Sequence, residues 1–160
     1  MRAAWRWAQE HDRFDDLVRA VEGLGTFYEI KGWFADAREI FSQTVEWLRP
    51  RLSLSGTAIQ DAAVHKGDVR QILLARLLAQ QGWFLARAGL HQQARRAVDT
   101  SIALLAPLGD HALREQALAQ TFLGDIFGLA ANPAAAIAPY ERSFDLFTQI
   151  GDRYGMGLPG

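Results

Sequence analysis

A catalytic or metal centre needs nucleophiles, acids, bases or soft ligands at fixed spacing, and this 160-residue chain offers few of them. It has no cysteine, which removes disulfides, thiolate nucleophiles and cysteine-ligated zinc or iron–sulfur sites together. His11, His65, His91 and His111 are scattered, with none at i, i+4 from another, so a metal site is not expected. No serine stands in a G-x-S-x-G nucleophile turn. Asp15 and Asp16 are paired carboxylates, but their place before an apolar helical series suits a helix N-terminus better than acid–base catalysis. Gly155-Met156-Gly157-Leu158-Pro159-Gly160 fits G-x-G-x-x-G by letter, yet no strand reads before it and no helix after it, so no nucleotide loop is expected there. No group of nucleophile, base and orienting residue can be assembled, and the chain reads as non-catalytic and without a cofactor. What remains is recognition. Among five tryptophans, Trp83 lies between Arg76 and Arg87, an aromatic flanked by arginines that would suit a peptide or an acidic small molecule as an anchor.

The elements that position such an anchor must come from one domain of ordinary size. A 49% apolar, 22% charged chain with net charge −1 is globular and carries no bulk attraction for nucleic acid. No run of about 18 apolar residues reads as a membrane span, and Met1-Arg2-Ala3-Ala4-Trp5-Arg6-Trp7 lacks the apolar stretch of a signal peptide, so a cytoplasmic location is expected. Charge is uneven. Summing Lys and Arg against Asp and Glu gives −2 for residues 1–50, +1 for 51–59, +4 for 60–96 and −4 for 97–160. A basic middle between acidic flanks could steer an acidic partner.

Apolar residues recur at three and four rather than two, which predicts helices. Phe14, Leu17, Val18, Val21, Leu24 and Tyr28 share one helical face, with Asp12 as the expected N-cap, Asp15 and Asp16 in the first turn, and Gly32 as the stop. A second series, Phe34, Ala37, Phe41, Thr44 and Leu48, begins at once and is expected to end at Pro50. The two read as an antiparallel hairpin. Asn132-Pro133 predicts a further helix start, while Pro139 should kink or delay that helix.

Aligning the chain on Gly25, Gly82 and Gly124 brings other columns into register. Three residues later stand Tyr28, Leu85 and Phe127; seven later Gly32, Gly89 and Ala131; twelve later Ala37, Ala94 and Ala136; sixteen later Phe41, Val98 and Tyr140. Pro50 and Pro107 follow at twenty-five, where the third copy has Gln149. A fixed inner spacing with variable outer spacing is what stacked helical hairpins produce. The extra residues of the first step fall between Ser53 and Gly67, a polar stretch suited to a loop or a helix extension. Small residues such as Gly25 and Ala37 are expected where the two helices of a hairpin approach closely, with Tyr28 and Phe41 filling the space above and below.

These columns resemble the tetratricopeptide repeat, which places Leu-Gly and then an aromatic on its first helix, and Ala and then an aromatic on its second. Leu24-Gly25-Thr26-Phe27-Tyr28 and Leu123-Gly124-Asp125-Ile126-Phe127 match, while Gln81-Gly82-Trp83-Phe84-Leu85 departs at both ends. The resemblance implies an all-α, α-α superhelix of stacked antiparallel helical hairpins, a single domain over 1–160. Its parts would be an N-terminal helix at 1–11, hairpins at 12–50, 68–108 and 110–151, a linker or helix extension at 51–67, and the start of a further repeat at 152–160. The register of that family puts Arg19, Glu22, Thr26, Glu29, Arg76, Trp83, Arg87 and Asp125 on the inner, groove-lining face.

A narrower resemblance lies at the N-terminus. Arg2-Ala3-Ala4-Trp5-Arg6-Trp7-Ala8, followed by Gly32-Trp33 at the first hairpin turn, resembles the segment opening the helical repeat region of large bacterial STAND-class signal-transduction ATPases and transcription regulators. That implies a sensor or interaction role, with a protein or peptide partner, beside ATPase and DNA-binding parts elsewhere; this chain has no P-loop of its own. A small-molecule effector domain and a free-standing adaptor are the alternatives. Trp5 and Trp7 on a short first helix with no partner before it, and Gly151 to Gly155 resembling a repeat start, lead us to expect apolar ends and self-association.

Overall fold

The computed structural model describes the backbone of residues 1–53 and 61–151, and the side chains of these except 53 and 61–68. Of the polar stretch between the first two hairpins, residues 54–60 are not described, and neither are the further repeat expected at 152–160 and the glycine motif within it. The described residues form α-helices without strands: α1 (Arg2–Glu10), α2 (Phe14–Lys31), α3 (Phe34–Ser53), α4 (Asp61–Arg87), α5 (His91–Leu105), a 3₁₀ segment (Ala106–Ala112), α6 (Leu113–Leu129) and α7 (Pro133–Ile150). The helical reading is therefore correct, and α4 begins at Asp61, inside the stretch expected as a linker or helix extension.

The repeat is written most plainly in the backbone of three turns. Gly32, Gly89 and Ala131, the column seven residues after the repeat glycine, all take left-handed backbone, with φ of 69°, 78° and 57°. Their amides donate to the carbonyls of Glu29, Ala86 and Gly128 at 3.0, 2.9 and 3.1 Å. The amides that follow, of Trp33, Leu90 and Asn132, reach back to Tyr28, Leu85 and Phe127 at 3.0, 2.9 and 2.9 Å. Each first helix thus closes its last carbonyls in the same way. Asn132 then caps α7 with its side chain, accepting from the Ala135 amide at 3.3 Å, and Pro133 is the first helical residue, as its lack of an N–H favours.

Small residues set the crossing in the second and third hairpins. A Cβ built on Gly82 would lie 2.6 Å from Val98 Cγ2 and 2.9 Å from the Ala94 carbonyl oxygen; one on Gly124 would lie 2.6 Å from the Tyr140 ring. Ser101 Oγ donates to the Ala75 carbonyl at 2.7 Å and Thr121 meets Ser143 at 2.7 Å, which fixes α4 against α5 and α6 against α7 in antiparallel register. The first hairpin differs. Gly25 meets the Gln80 amide of α4 instead of α3, which corrects the expectation that it closes against Ala37. The reason is α1, which touches both helices of that hairpin and holds them apart. Trp5 is 5% exposed, and its indole N–H donates to Thr44 Oγ1 of α3 at 3.0 Å. Arg2 donates to the Tyr28 hydroxyl of α2 at 3.0 Å and pairs with Asp36 of α3 at 2.9 Å. α2 and α3 accordingly touch far less than the helices of the other two hairpins. Trp5, expected with Trp7 to leave an apolar end on the short first helix, is a core residue, while Trp7 is 49% exposed.

Two further expectations fail locally, and a third is met only in part. Asp12 does not cap α2: the reversal from α1 takes it to φ 49°, its carbonyl accepts from the Phe14 amide at 2.9 Å, and its carboxylate faces Arg51 at 3.7 Å. Pro50 does not end α3, which runs on to Ser53; Arg51 lies over the Trp47 ring and its side chain donates to the Trp47 carbonyl at 2.6 Å in that last turn. Pro139, expected to kink or delay α7, does not delay it: the helix starts at Pro133 and carries Pro139 inside, its ring buried and one backbone bond lost.

The core follows from this stacking. One large cluster joins α1 to α4 around Leu17, Tyr28, Phe41, Leu48, Leu77 and Phe84, with Phe41 stacked on Phe84 at 5.8 Å. Two smaller clusters, rich in alanine, carry the packing from α4 and α5 into α6: Ala75, Leu105, Ala112 and Ala119, then Ala86, Ala94, Val98 and Ile126. Successive first helices α2, α4 and α6 touch one another in that order, so their outward faces form one surface.

Candidate functional site

That surface is where the sequence-predicted site residues meet. From α2 come Glu22 and Glu29, from α4 Arg76, Trp83 and Arg87, and from α6 Asp125. Helical spacing explains the selection: on α4 the series 76, 80, 83, 87 steps by three and four along one face, and 22, 26, 29 does the same on α2. Trp83 stands at the centre. Its indole N–H donates to Glu29 Oε2 at 3.2 Å, its ring lies 6.2 Å from Phe122 of α6, and the Arg87 guanidinium lies 5.8 Å from its centre and 5.0 Å from that of Phe34. The aromatic thus links three helices while its neighbourhood stays partly open to solvent.

Charges tie the same helices together. Arg76 donates to the Val18 carbonyl of α2 at 2.8 Å and pairs with Glu115 of α6, the two side chains being 18% and 13% exposed. Charges this far from water hold only when paired and hydrogen-bonded, so this pair fixes the relative positions of α2, α4 and α6. Arg114 and Glu22, 3.4 Å apart and more exposed, add a weaker tie of the same kind. At the other end Tyr140 of α7 donates to Asp125 at 2.6 Å. Burial raises the Asp125 carboxyl above its ordinary value; the Tyr140 bond opposes this and the negative charge of Glu29 adds to it. The Tyr140 hydroxyl is pushed up to about 12, first by desolvation and then by its bond to the neighbouring carboxylate.

Two predicted residues stand outside these ties. Arg19 is engaged only within α2, with Asp16 at 3.4 Å and the Asp15 carbonyl at 3.3 Å, and Thr26 donates to the Glu22 carbonyl at 3.0 Å. Sequence reasoning took only Asp125 from α6 and so missed Arg114, Glu115 and Phe122. The signal was there: stepping back from Asp125 by three and by ten reaches Phe122 and Glu115 on the same helical face.

Beside the pair of Arg76 and Glu115, which help to line it, α2, α4, α5 and α6 leave a cavity of about 60 Å³, lined also by Val21, Ala79, Ser101, Leu118 and Phe122. That is room for water or a small fragment; sites for drug-sized ligands occupy roughly 300–1,000 Å³. Among the described residues no group of three or more His, Asp or Glu could hold a metal ion, and no helix is long and apolar enough to cross a membrane. The arrangement offers aromatic surface, a guanidinium and carboxylates in a row. No protein-family model matches the chain, and neither does any curated protein or solved structure.

Proposed function

We propose that the chain is a non-catalytic interaction or sensor module, built as a tetratricopeptide-like superhelix, whose α2–α4–α6 face receives a peptide segment of a partner protein. The observation that carries this reading is the position of Trp83, ringed by Glu29, Arg87 and Phe122 where the three first helices meet. A rigid aromatic beside a guanidinium is the composition of an interface hot spot, and its flanking carboxylates and arginines would set the register of a bound chain. The small size of the neighbouring cavity favours a peptide laid across the face over an enclosed effector. In the resemblance drawn from the N-terminal segment and the repeats, such a module would serve a larger bacterial ATP-dependent signalling or transcription-regulatory protein in the cytoplasm.

The test is selection of peptides from a random-sequence display library on the immobilised chain, followed by titration of the selected peptides. Trp83→Ala should weaken binding at least about tenfold, equivalent to about 1.4 kcal/mol, and Arg87→Ala should weaken it and reduce its salt dependence. Peptides that bind both variants as well as the parent, or the failure of any peptide to be selected, would overturn the reading.

A further inference from the structure

The two junctions between successive hairpins can be compared position by position. At the first, Gln81 of α4, one residue before its repeat glycine, donates to Ser42 Oγ of α3 at 2.8 Å, while Leu78, three residues earlier, is buried in the main core. At the second, the same positions on α6 are Leu123 and Gln120, and the place of Ser42 is taken on α5 by Asp99. Amide and leucine have changed places. Leu123 has no donor to offer, a carboxylate stands where the hydroxyl was, and Gln120, only 7% exposed, has an amide without a hydrogen-bond partner among the described residues. An amide in that state keeps its whole bonding capacity for a group brought from outside.

Gln120 lines a groove of about 550 Å³ between α5 and α7, within the roughly 300–1,000 Å³ of small-molecule sites. The groove shares no residue with the α2–α4–α6 face. Ile102, Leu123 and Pro139 supply apolar surface, and carboxylates stand on both sides, Asp99 from α5, Glu141 and Asp145 from α7. Asp99 lies 3.5 Å from Arg95 on its own helix, but both are more than a third exposed and such a pair is worth little. Among the described residues Glu141, Asp145 and Arg142 form no ion pair, and Arg142 is the one cation in the lining, so three carboxylates against one guanidinium leave −2. These carboxylates do not gather into a group that could hold a metal ion. An ammonium, which only donates, suits carboxylates and an amide oxygen, and an alkyl chain suits the apolar surface between them. Carboxylates on two sides call for two ammonium groups, and a single lysine side chain has one.

We propose that the α5–α7 groove binds a linear aliphatic diamine or polyamine. One ammonium sits on the Asp99 side and another on the Glu141 and Asp145 side, the methylenes lie on Ile102 and Leu123, and the Gln120 amide oxygen accepts from an ammonium N–H.

Nuclear magnetic resonance titration of the full chain with cadaverine, following the backbone amides and the Gln120 side-chain amide, tests this, with pentylamine as the control of equal chain length and one ammonium. Cadaverine should bind one-to-one and shift the Gln120 amide, and pentylamine should bind at least about tenfold more weakly. Gln120→Leu restores the residue found at Leu78 and changes no charge; it should weaken cadaverine at least about tenfold while circular dichroism shows the fold kept. At exposed positions, Glu141→Gln should weaken binding about threefold and Arg142→Ala should strengthen it about threefold, and neither depends on the core variant. No saturable binding of cadaverine at millimolar concentration, or equal affinity for pentylamine, would overturn the proposal. So would folded Gln120→Leu binding as the parent does, which would mean diffuse charge attraction, or binding of a lysine-rich peptide without binding of cadaverine, which would make the groove a site for a partner chain.

Discussion

Exchanging residues between two of the three hairpin turns separates backbone strain from every other effect. Gly89 and Ala131 occupy the same column, at φ of 78° and 57°, with the same pair of amide-to-carbonyl bonds around them. A Cβ at Gly89 would meet nothing within 4 Å, so Gly89→Ala adds no clash and its cost is conformational. The left-handed region costs an L-residue about 1–2 kcal/mol, while loss of unfolded-state freedom returns about 0.4–1 kcal/mol. Gly89→Ala should therefore destabilise by about 1 kcal/mol, and Ala131→Gly should stabilise by a similar amount. In a domain of this size that is a shift of about 2–4 °C in Tm in opposite directions. Urea and thermal unfolding followed by circular dichroism would read it. Alanine to glycine in an ordinary helical position lowers stability by about 1 kcal/mol, so a destabilised Ala131→Gly would refute the shared turn in sign as well as in size.

Other substitutions probe the packing. Gly82→Ala drives a methyl into Val98 and the Ala94 carbonyl and should cost about 1–3 kcal/mol, as should Ala94→Phe at the same crossing, whereas Gly25→Ala meets only the end of the Gln80 side chain and should be near neutral; denaturant midpoints compare them. Trp5→Ala should cost about 3–5 kcal/mol by emptying the space between α2 and α3, and exposed Trp7→Ala less than about 1 kcal/mol, measured in the same way. The Tyr140 hydroxyl keeps its proton longer folded than unfolded, so this group's contribution to stability falls as pH rises from 10.0 to about 12; ultraviolet titration should find Asp125→Asn bringing that ionisation back towards 10.0.

Much of the repeat could be read before any coordinates, because its signals are steric and local. A residue that must turn left-handed favours glycine, and a backbone that must approach another leaves no room for a side chain; both recur at fixed offsets from Gly82 and Gly124. Gly25 carried the same letter for a different reason, since the wedge that opens its hairpin is α1, and nothing in a column of small residues reports what lies opposite. The prolines misled in the other direction. Pro50 and Pro139 each lose one backbone bond, and whether a helix survives that loss depends on its surroundings, such as the burial of the Pro139 ring, which the local sequence does not report. On the candidate face, helical periodicity found the α2 and α4 residues, but the ion pair of Arg76 and Glu115 joins residues 39 apart and follows only from how α4 lies on α6.

The central claim is that α2, α4 and α6 present one continuous face, and the absence of native cysteine allows it to be tested by crosslinking. Glu22 and Arg114 lie 92 residues apart with side chains meeting at 3.4 Å, whereas Arg142 lines a separate groove beside Asp99. In dilute solution, Glu22→Cys with Arg114→Cys should be joined within one molecule by a short bis-maleimide in high yield, and Glu22→Cys with Arg142→Cys should not. Equal yields for the two pairs, or no closure of the first, would contradict the arrangement from which the binding face is built.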